Sequence, residues 1–144
     1  MLTAFSKNVL MPLLLRLALA AIFIFHGMHL VGGSANDWGA QWNKGADAPP
    51  AMVQLAVAWG QLIGGIALAL GFLTRLAAIG IIIIMIGAIA TIHWPNGFDI
   101  QANPEKGGGF EYNFAIIMMC LCLVLGGPGP LAVDRVFRFR RKET

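Results

Sequence analysis

The chain has 144 residues, of which 58% are apolar and 12% charged, with a formal net charge of +3. A mean hydropathy of +0.73 is more than a soluble domain of this length needs to fill a core, so a water-soluble globular fold is excluded. What remains is an integral membrane protein.

The first apolar segment covers 9–31 and stops at Gly32-Gly33-Ser34. A hydrocarbon core of about 30 Å takes about 20 helical residues to cross, and this segment suffices. Lys7 ahead of it also fits a secretory signal, but Arg16 inside the run and the run's length argue for a permanent helix. His26 and His29 are three residues apart, hence on one helix face, and are placed to contact a metal, a quinone carbonyl or Glu111 together. In the following loop Trp38 and Trp42 are one helical turn apart, which predicts a short interfacial helix folded back over the bundle mouth.

The second segment, 51–72, holds Gly60 and Gly64 in GxxxG spacing and a stripe of Gln61, Gly64, Gly65 and Leu68 that invites close approach of a neighbour. After the tight turn Leu73-Thr74-Arg75 the third segment, 76–94, extends the packing theme with Gly80 and Gly87 and closes on His93 and Trp94 before Pro95-Asn96-Gly97. The fourth, 112–127, follows Gly107-Gly108-Gly109 and ends at Gly126-Gly127-Pro128-Gly129-Pro130. Its uninterrupted apolar stretch is only 114–125, so Glu111, Tyr112 and Asn113 are expected at the membrane boundary or just below it. Cys120 and Cys122 are two apart on a helix, point to nearly opposite sides and cannot form a mutual disulfide.

The predicted fold class is therefore all-α: an integral membrane four-helix bundle, a single domain over 1–144 with a basic tail at 131–144. Lys7, Arg16, Arg75, Arg135, Arg138, Arg140, Arg141 and Lys142 fall at the termini and the tight turn, whereas the two longer loops carry only Lys44 and Lys106. By the excess of basic residues on the inner side, both termini face the cytoplasm. The tail, with Phe137 and Phe139 interleaved among its arginines, reads as an anchor on anionic lipid and not as a nucleic-acid patch.

At about 1.5 Å of rise per residue, His26 lies roughly 15 Å above Arg16 and His29 roughly 20 Å, while His93 is about 27 Å above Arg75. Arg16 itself is expected to snorkel to the cytoplasmic face. Apart from His26, near the midplane, the histidines share the outer third with Gln61 and Glu111. Ionisable groups at membrane depth are costly and mark sites, so His26, His29, His93 and Glu111 are the candidate catalytic residues. Gln61, Tyr112, Trp94 and Arg16 are the candidates for cofactor contact. Each has a plainer reading: the histidines as an interhelical clasp, Glu111 as an acid at a helix N-terminus, the tryptophans as an aromatic belt. Neither a helix-borne zinc-protease pair nor a Cys/His array is present, and no metal is expected.

A set of local patterns carries a family resemblance over nearly the whole chain. They are Arg16 in the first helix with His26-Gly27 at its end, Gln61-x-x-Gly64-Gly65, and Gly71-Phe72-Leu73-Thr74-Arg75. His93 closes the third helix, and Gly109-Phe110-Glu111-Tyr112-Asn113 leads to Gly126-Gly127-Pro128-Gly129-Pro130 and Asp134. Together they resemble the DoxX family of small four-helix bacterial membrane proteins. Many relatives have a glutamate where this chain has Gln61, which argues against a proton-carrying duty there.

The resemblance implies a multi-pass protein of the bacterial cytoplasmic membrane and, for some relatives, the membrane subunit of a quinone-linked oxidoreductase such as thiosulfate:quinone oxidoreductase. On that reading the cofactor is a quinone, and the partners are membrane lipid and other oxidoreductase subunits, with homo-oligomerisation open. Arg16, at the far end, orients its helix or binds lipid. The alternatives are a non-enzymatic structural or assembly subunit and a small transporter, which would need to oligomerise to enclose a path.

Overall fold

The structure is a computed structural model and describes residues 2–33, 37–45 and 48–135. The basic tail beyond Arg135 lies outside the described residues. The described chain is helical, with no strand. A short lead-in, α1 (Leu2–Phe5), passes through a wide π-helical turn, Ser6–Leu10, into α2 (Met11–Gly32). Pro12 has no amide hydrogen, and its ring crowds the carbonyl four residues earlier. A widened turn just ahead of it lets the helix run on instead of breaking. Behind Pro50 comes α3 (Ala51–Leu70), then α4 (Thr74–Ala88), which continues through a second π-helical turn, Ile89–His93, and a 3-10 turn, Trp94–Asn96. The last long helix is α5 (Glu111–Gly126).

Ser6–Gly32, Ala51–Leu70 and Thr74–Asn96 are long and apolar enough to cross a membrane. At 16 residues α5 is apolar but shorter, spanning about 24 Å. α2 lies along α3, α3 touches α4, α4 lies along α5, and α5 returns to α2. Leu19, Phe23, Leu68, Ile81, Ile116 and Leu123 fill the centre. The outside is as greasy as the inside: Leu14, Phe25, Ile63, Leu76, Ile83 and Leu125 are all exposed. Water would penalise such a surface, and hydrocarbon does not.

The closest helix contact is between α2 and α3, and it depends on two glycines. A Cβ at Gly27 would stand 2.5 Å from the Leu62 backbone nitrogen, and one at Gly65 would stand 2.8 Å from that of Ile24. The expected packing role of Gly80 and Gly87 is not realised, since a Cβ at either would meet nothing within 4 Å. These two lie on the outer side of α4, where spacing along the sequence looks the same but no helix is opposite. Cys120 is buried and Cys122 exposed, both free, in keeping with their opposed directions.

Arg16 does not snorkel. It is 2% exposed, the largest fully buried side chain in the described chain. Its Nε donates to Leu68 O at 2.9 Å and its Nη2 to Ala69 O at 3.0 Å, while Nη1 donates to Pro128 O at 3.0 Å and Leu131 O at 2.9 Å. The first two acceptors belong to the last turn of α3, where helix carbonyls have no partner of their own and the dipole is negative. A planar fork with five donors can serve both these carbonyls and the segment after α5 at once. Turning inward therefore gives the guanidinium four acceptors, so it has no need of a lipid phosphate.

The neighbouring turn is built around this group. Gly71 closes α3 in the left-handed region at φ +69°, with its N–H and that of Phe72 returned to the helix carbonyls. A Cβ there would fall 2.7 Å from Arg16 Cζ. Asp134 then caps α4 from a distance in sequence: its carboxylate accepts from Leu73 N at 2.6 Å and Thr74 N at 2.9 Å, and its own N–H donates to Gly71 O. One arginine and one aspartate thus join α2, the α3–α4 turn and the chain after α5.

Arg16→Lys keeps the charge but reaches fewer of the four carbonyls. We expect it to cost about 3 kcal/mol or more of stability, seen as a lowered melting temperature in mild detergent. A Lys variant as stable as wild type would show that charge alone, not the fork, holds this end.

Candidate functional site

At the other end of the helices a cavity of about 300 Å³ opens between all four. Ile22 and Phe23 of α2, Met85 of α4 and Ile116 of α5 make its apolar wall. Its polar groups are His26 from α2, Gln61 from α3, His93 after α4, and Tyr112 and Asn113 from the first turn of α5. No Asp, Glu, Lys or Arg lines it among the described residues. The size is at the lower end for a small-molecule site, and the mix of apolar wall and few polar groups is typical of one.

The π-helical turn Ile89–His93 ends on His93, and such widened turns are frequent at functional sites. His93 Nδ1 is 2.9 Å from Gly108 O. A carbonyl only accepts, so Nδ1 carries a proton and Nε2 is left outside this contact. Asn96 Nδ2 donates to the same oxygen at 3.0 Å and to Lys106 O at 3.2 Å. Loop 97–110 is folded on itself by Gly109 N donating to Asp99 O, Phe110 N to Gly97 O and Glu111 N to Phe98 O. Gly108 and Gly109 permit this, because a Cβ on either would strike the Ile100 or Asp99 carbonyl oxygen. Ile100, Gly107 and Gly109 of the loop complete the cavity wall. Outside it, Trp94 stacks on Phe110 with centroids 5.7 Å apart, and Phe98 meets Phe110 and Phe114 edge-on.

A family model, that of DoxX, matches residues 11–94, more than half of the chain. The chain belongs to the DoxX family. No curated protein and no solved structure matches it. As a DoxX protein it is a membrane protein, in agreement with its three long apolar helices. The match runs from the start of α2 to Trp94 and so includes His26, Gln61 and His93 of the cavity. Tyr112, Asn113 and the loop glycines, which close the cavity from the other side, follow it in sequence.

The expected outer layer is only partly brought together. His26, His93, Gln61 and Tyr112 converge on the cavity; His29 does not. His29 opens onto a shallow recess beside Phe25, Met28, Gly32 and Gly33, because three residues of helix separate two rings by about 60° and only one of them can face the centre. Glu111 is exposed and outside the cavity lining, its carboxylate 3.4 Å from Ile100 N. It sits in the first turn of α5, where an acid favours the positive end of the helix. Trp94, 67% exposed, belongs to the aromatic cluster and not to the lining. Arg16 is at the opposite end of the bundle, engaged with four carbonyls. Among the described residues no three His, Cys, Asp or Glu side chains gather to hold a metal ion.

The loop after α2 is not the interfacial helix expected of Trp38 and Trp42. Trp38 and Gly39 take positive φ, +54° and +93°, which no right-handed helix contains. The loop is instead bound to α3. Asn43 N donates to Gln54 Oε1, Gln54 Nε2 donates to Asn43 O and Pro49 O, and Trp42 Nε1 donates to Gln54 O. Sequence reasoning passed over Gln54, Asn96 and Asn113 as site-building residues. The one available signal was their position: polar amides inside or beside otherwise apolar helices.

Asn96→Ala removes the donor that gathers loop 97–110 around Gly108. Amide exchange in residues 107–110 is expected to speed up about tenfold, the worth of roughly one net hydrogen bond, with α2 and α3 unchanged. Unaltered exchange in the loop would mean that His93 and the Asp99–Gly109 pairing hold it unaided.

Proposed function

We propose that this DoxX protein is the membrane subunit of a quinone-linked oxidoreductase of the bacterial cytoplasmic membrane, with the cavity as the site of the quinone head. The observation that carries this reading is an apolar-walled cavity between the four helices, without Asp, Glu, Lys or Arg among its described lining, with two imidazoles, a phenol and two amides converging on it. A quinone accepts two electrons and two protons to become a quinol, and the reverse step releases them. The residues suit that head group: flat apolar walls at Phe23, Met85 and Ile116, and His26, His93 and Tyr112 for its oxygens.

His93 is the better defined of the two histidines. With Nδ1 held on Gly108 O, its Nε2 is a fixed acceptor that takes a hydroxyl proton in one direction and returns it in the other. His26, exposed on α2, stands at the edge of the cavity, where a proton can pass to the surroundings. Electrons enter or leave through a partner protein, because the chain carries no motif for flavin, haem or iron-sulfur binding. Both termini face the cytoplasm on the distribution of basic residues, which puts the cavity toward the outer face.

A second reading has one observation in its favour: His93 and Asn96 spend donors on the loop carbonyls. On that reading the polar groups only clasp helices of a structural or assembly subunit.

The two differ in an inhibitor-sensitive quinone-reduction assay with co-purifying partners. His26→Ala and His93→Ala are expected to lower turnover about 100-fold with the complex still assembled, and Glu111→Gln to change it little. Full turnover in both histidine variants together with failed assembly would sink the quinone site in favour of the clasp. For topology, single cysteines at Lys44 and Arg75 in a background without Cys120 and Cys122 are expected to label from outside and only after permeabilisation, respectively. The opposite pattern inverts the cavity's side.

A further inference from the structure

Two carboxamides at the cavity have no adequate partner in the protein. Gln61 is 9% exposed, and its side chain makes no hydrogen bond to any described residue. Asn113 is 6% exposed, and its one contact is Nδ2 to the Met85 sulfur at 3.5 Å, a weak acceptor. Gln54 is the contrast: 3% exposed, it satisfies donor and acceptor alike on the loop backbone. Buried polar groups are almost always paired, and an exception in a native structure calls for a reason. Among the described residues the one fully enclosed side-chain atom without a partner is Thr74 Oγ1, at the Arg16 end; the amides of Gln61 and Asn113 instead open onto the same cavity, from α3 and from α5.

We propose that Gln61 and Asn113 form a preset amide pair that binds the oxygen of an uncharged ligand in this cavity, and that the ligand supplies the hydrogen bonds the protein withholds. The proposal rests on the quinone reading for the ligand's identity, but not for the site's existence. An amide gives a donor and an acceptor without charge, so the pair can meet a carbonyl oxygen through Nε2 or Nδ2 and a hydroxyl through Oε1 or Oδ1. It thus suits both the oxidised and the reduced form of a neutral carrier. No Asp, Glu, Lys or Arg lines the cavity among the described residues, so a small oxyanion would find no fixed counter-charge there. An anionic reductant is therefore handled away from this cavity, on a partner.

Such a pair leaves a signature that a merely structural amide does not. An unpaired buried amide destabilises the free protein, so replacing it with an apolar side chain of similar shape raises stability while removing the ligand contact. The purified full chain in detergent is used, with Gln61→Met and Asn113→Leu. A short-chain benzoquinone is titrated by quenching of tryptophan fluorescence, and melting is followed without ligand.

Each variant is expected to melt about 2–4 °C higher than wild type and to bind the benzoquinone about tenfold more weakly. Millimolar thiosulfate is expected not to displace it. Lower melting temperatures with unchanged quinone affinity would overturn the amide pair, and displacement by thiosulfate would overturn the neutrality of the site. If wild type fails to bind the benzoquinone while both variants still melt higher, the amide site stands and the quinone reading falls.

Discussion

Everything in this protein is referenced to one buried guanidinium. Arg16 spans from the middle of the first turns of α2 to the last carbonyls of α3 and to the chain leaving α5. Asp134 completes the arrangement by capping α4. A charge buried in an apolar bundle is tolerable only when its hydrogen bonds are all but complete, and that requirement admits few arrangements of the surrounding helices. The register of α2 against α3, and of both against the α4 cap and the end of α5, is therefore set at this end.

The cavity is a consequence at the other end. Counting about 1.5 Å per residue away from the arginine, Gln61 is about 10 Å along α3 from Leu68, and His26 about 15 Å along α2. Gly27 and Gly65 hold these two helices in contact on the way. The helices α4 and α5 do not close as tightly, and the space left is capped by loop 97–110. The patterns that carry the DoxX resemblance divide in the same manner. Arg16, Gly71 to Arg75, the Gly-Pro segment and Asp134 build the lock, whereas His26, Gln61, His93 and Tyr112 to Asn113 build the cavity.

The two ends handle polar groups in opposite ways, and this is why they differ in kind. Around Arg16 four of the five guanidinium donors have a carbonyl, and the result is rigidity. Around Gln61 and Asn113 donors and acceptors are left over, although Gln54 shows that this chain can satisfy a buried amide completely. Unspent hydrogen-bonding capacity beside an apolar wall suits recognition of a small neutral molecule.

Sequence alone determined the solvent, the four apolar segments, their approximate ends and the presence of a polar layer. Each of these depends on composition or local periodicity: about 20 apolar residues per crossing, glycine and proline at the breaks, histidines where hydrocarbon was expected. It could not tell His26 from His29, nor Gly65 from Gly80, because helix spacing fixes relative angles and not which angle faces a neighbour. It sent Arg16 outward to lipid, since its acceptors come from residues 52 to 115 positions away and carbonyls carry no signature in sequence. Glu111 looked like a member of the layer for the reverse reason: depth along a helix was legible, direction around it was not. Tertiary packing decided both, by bringing orphan carbonyls to the arginine and leaving two amides without any.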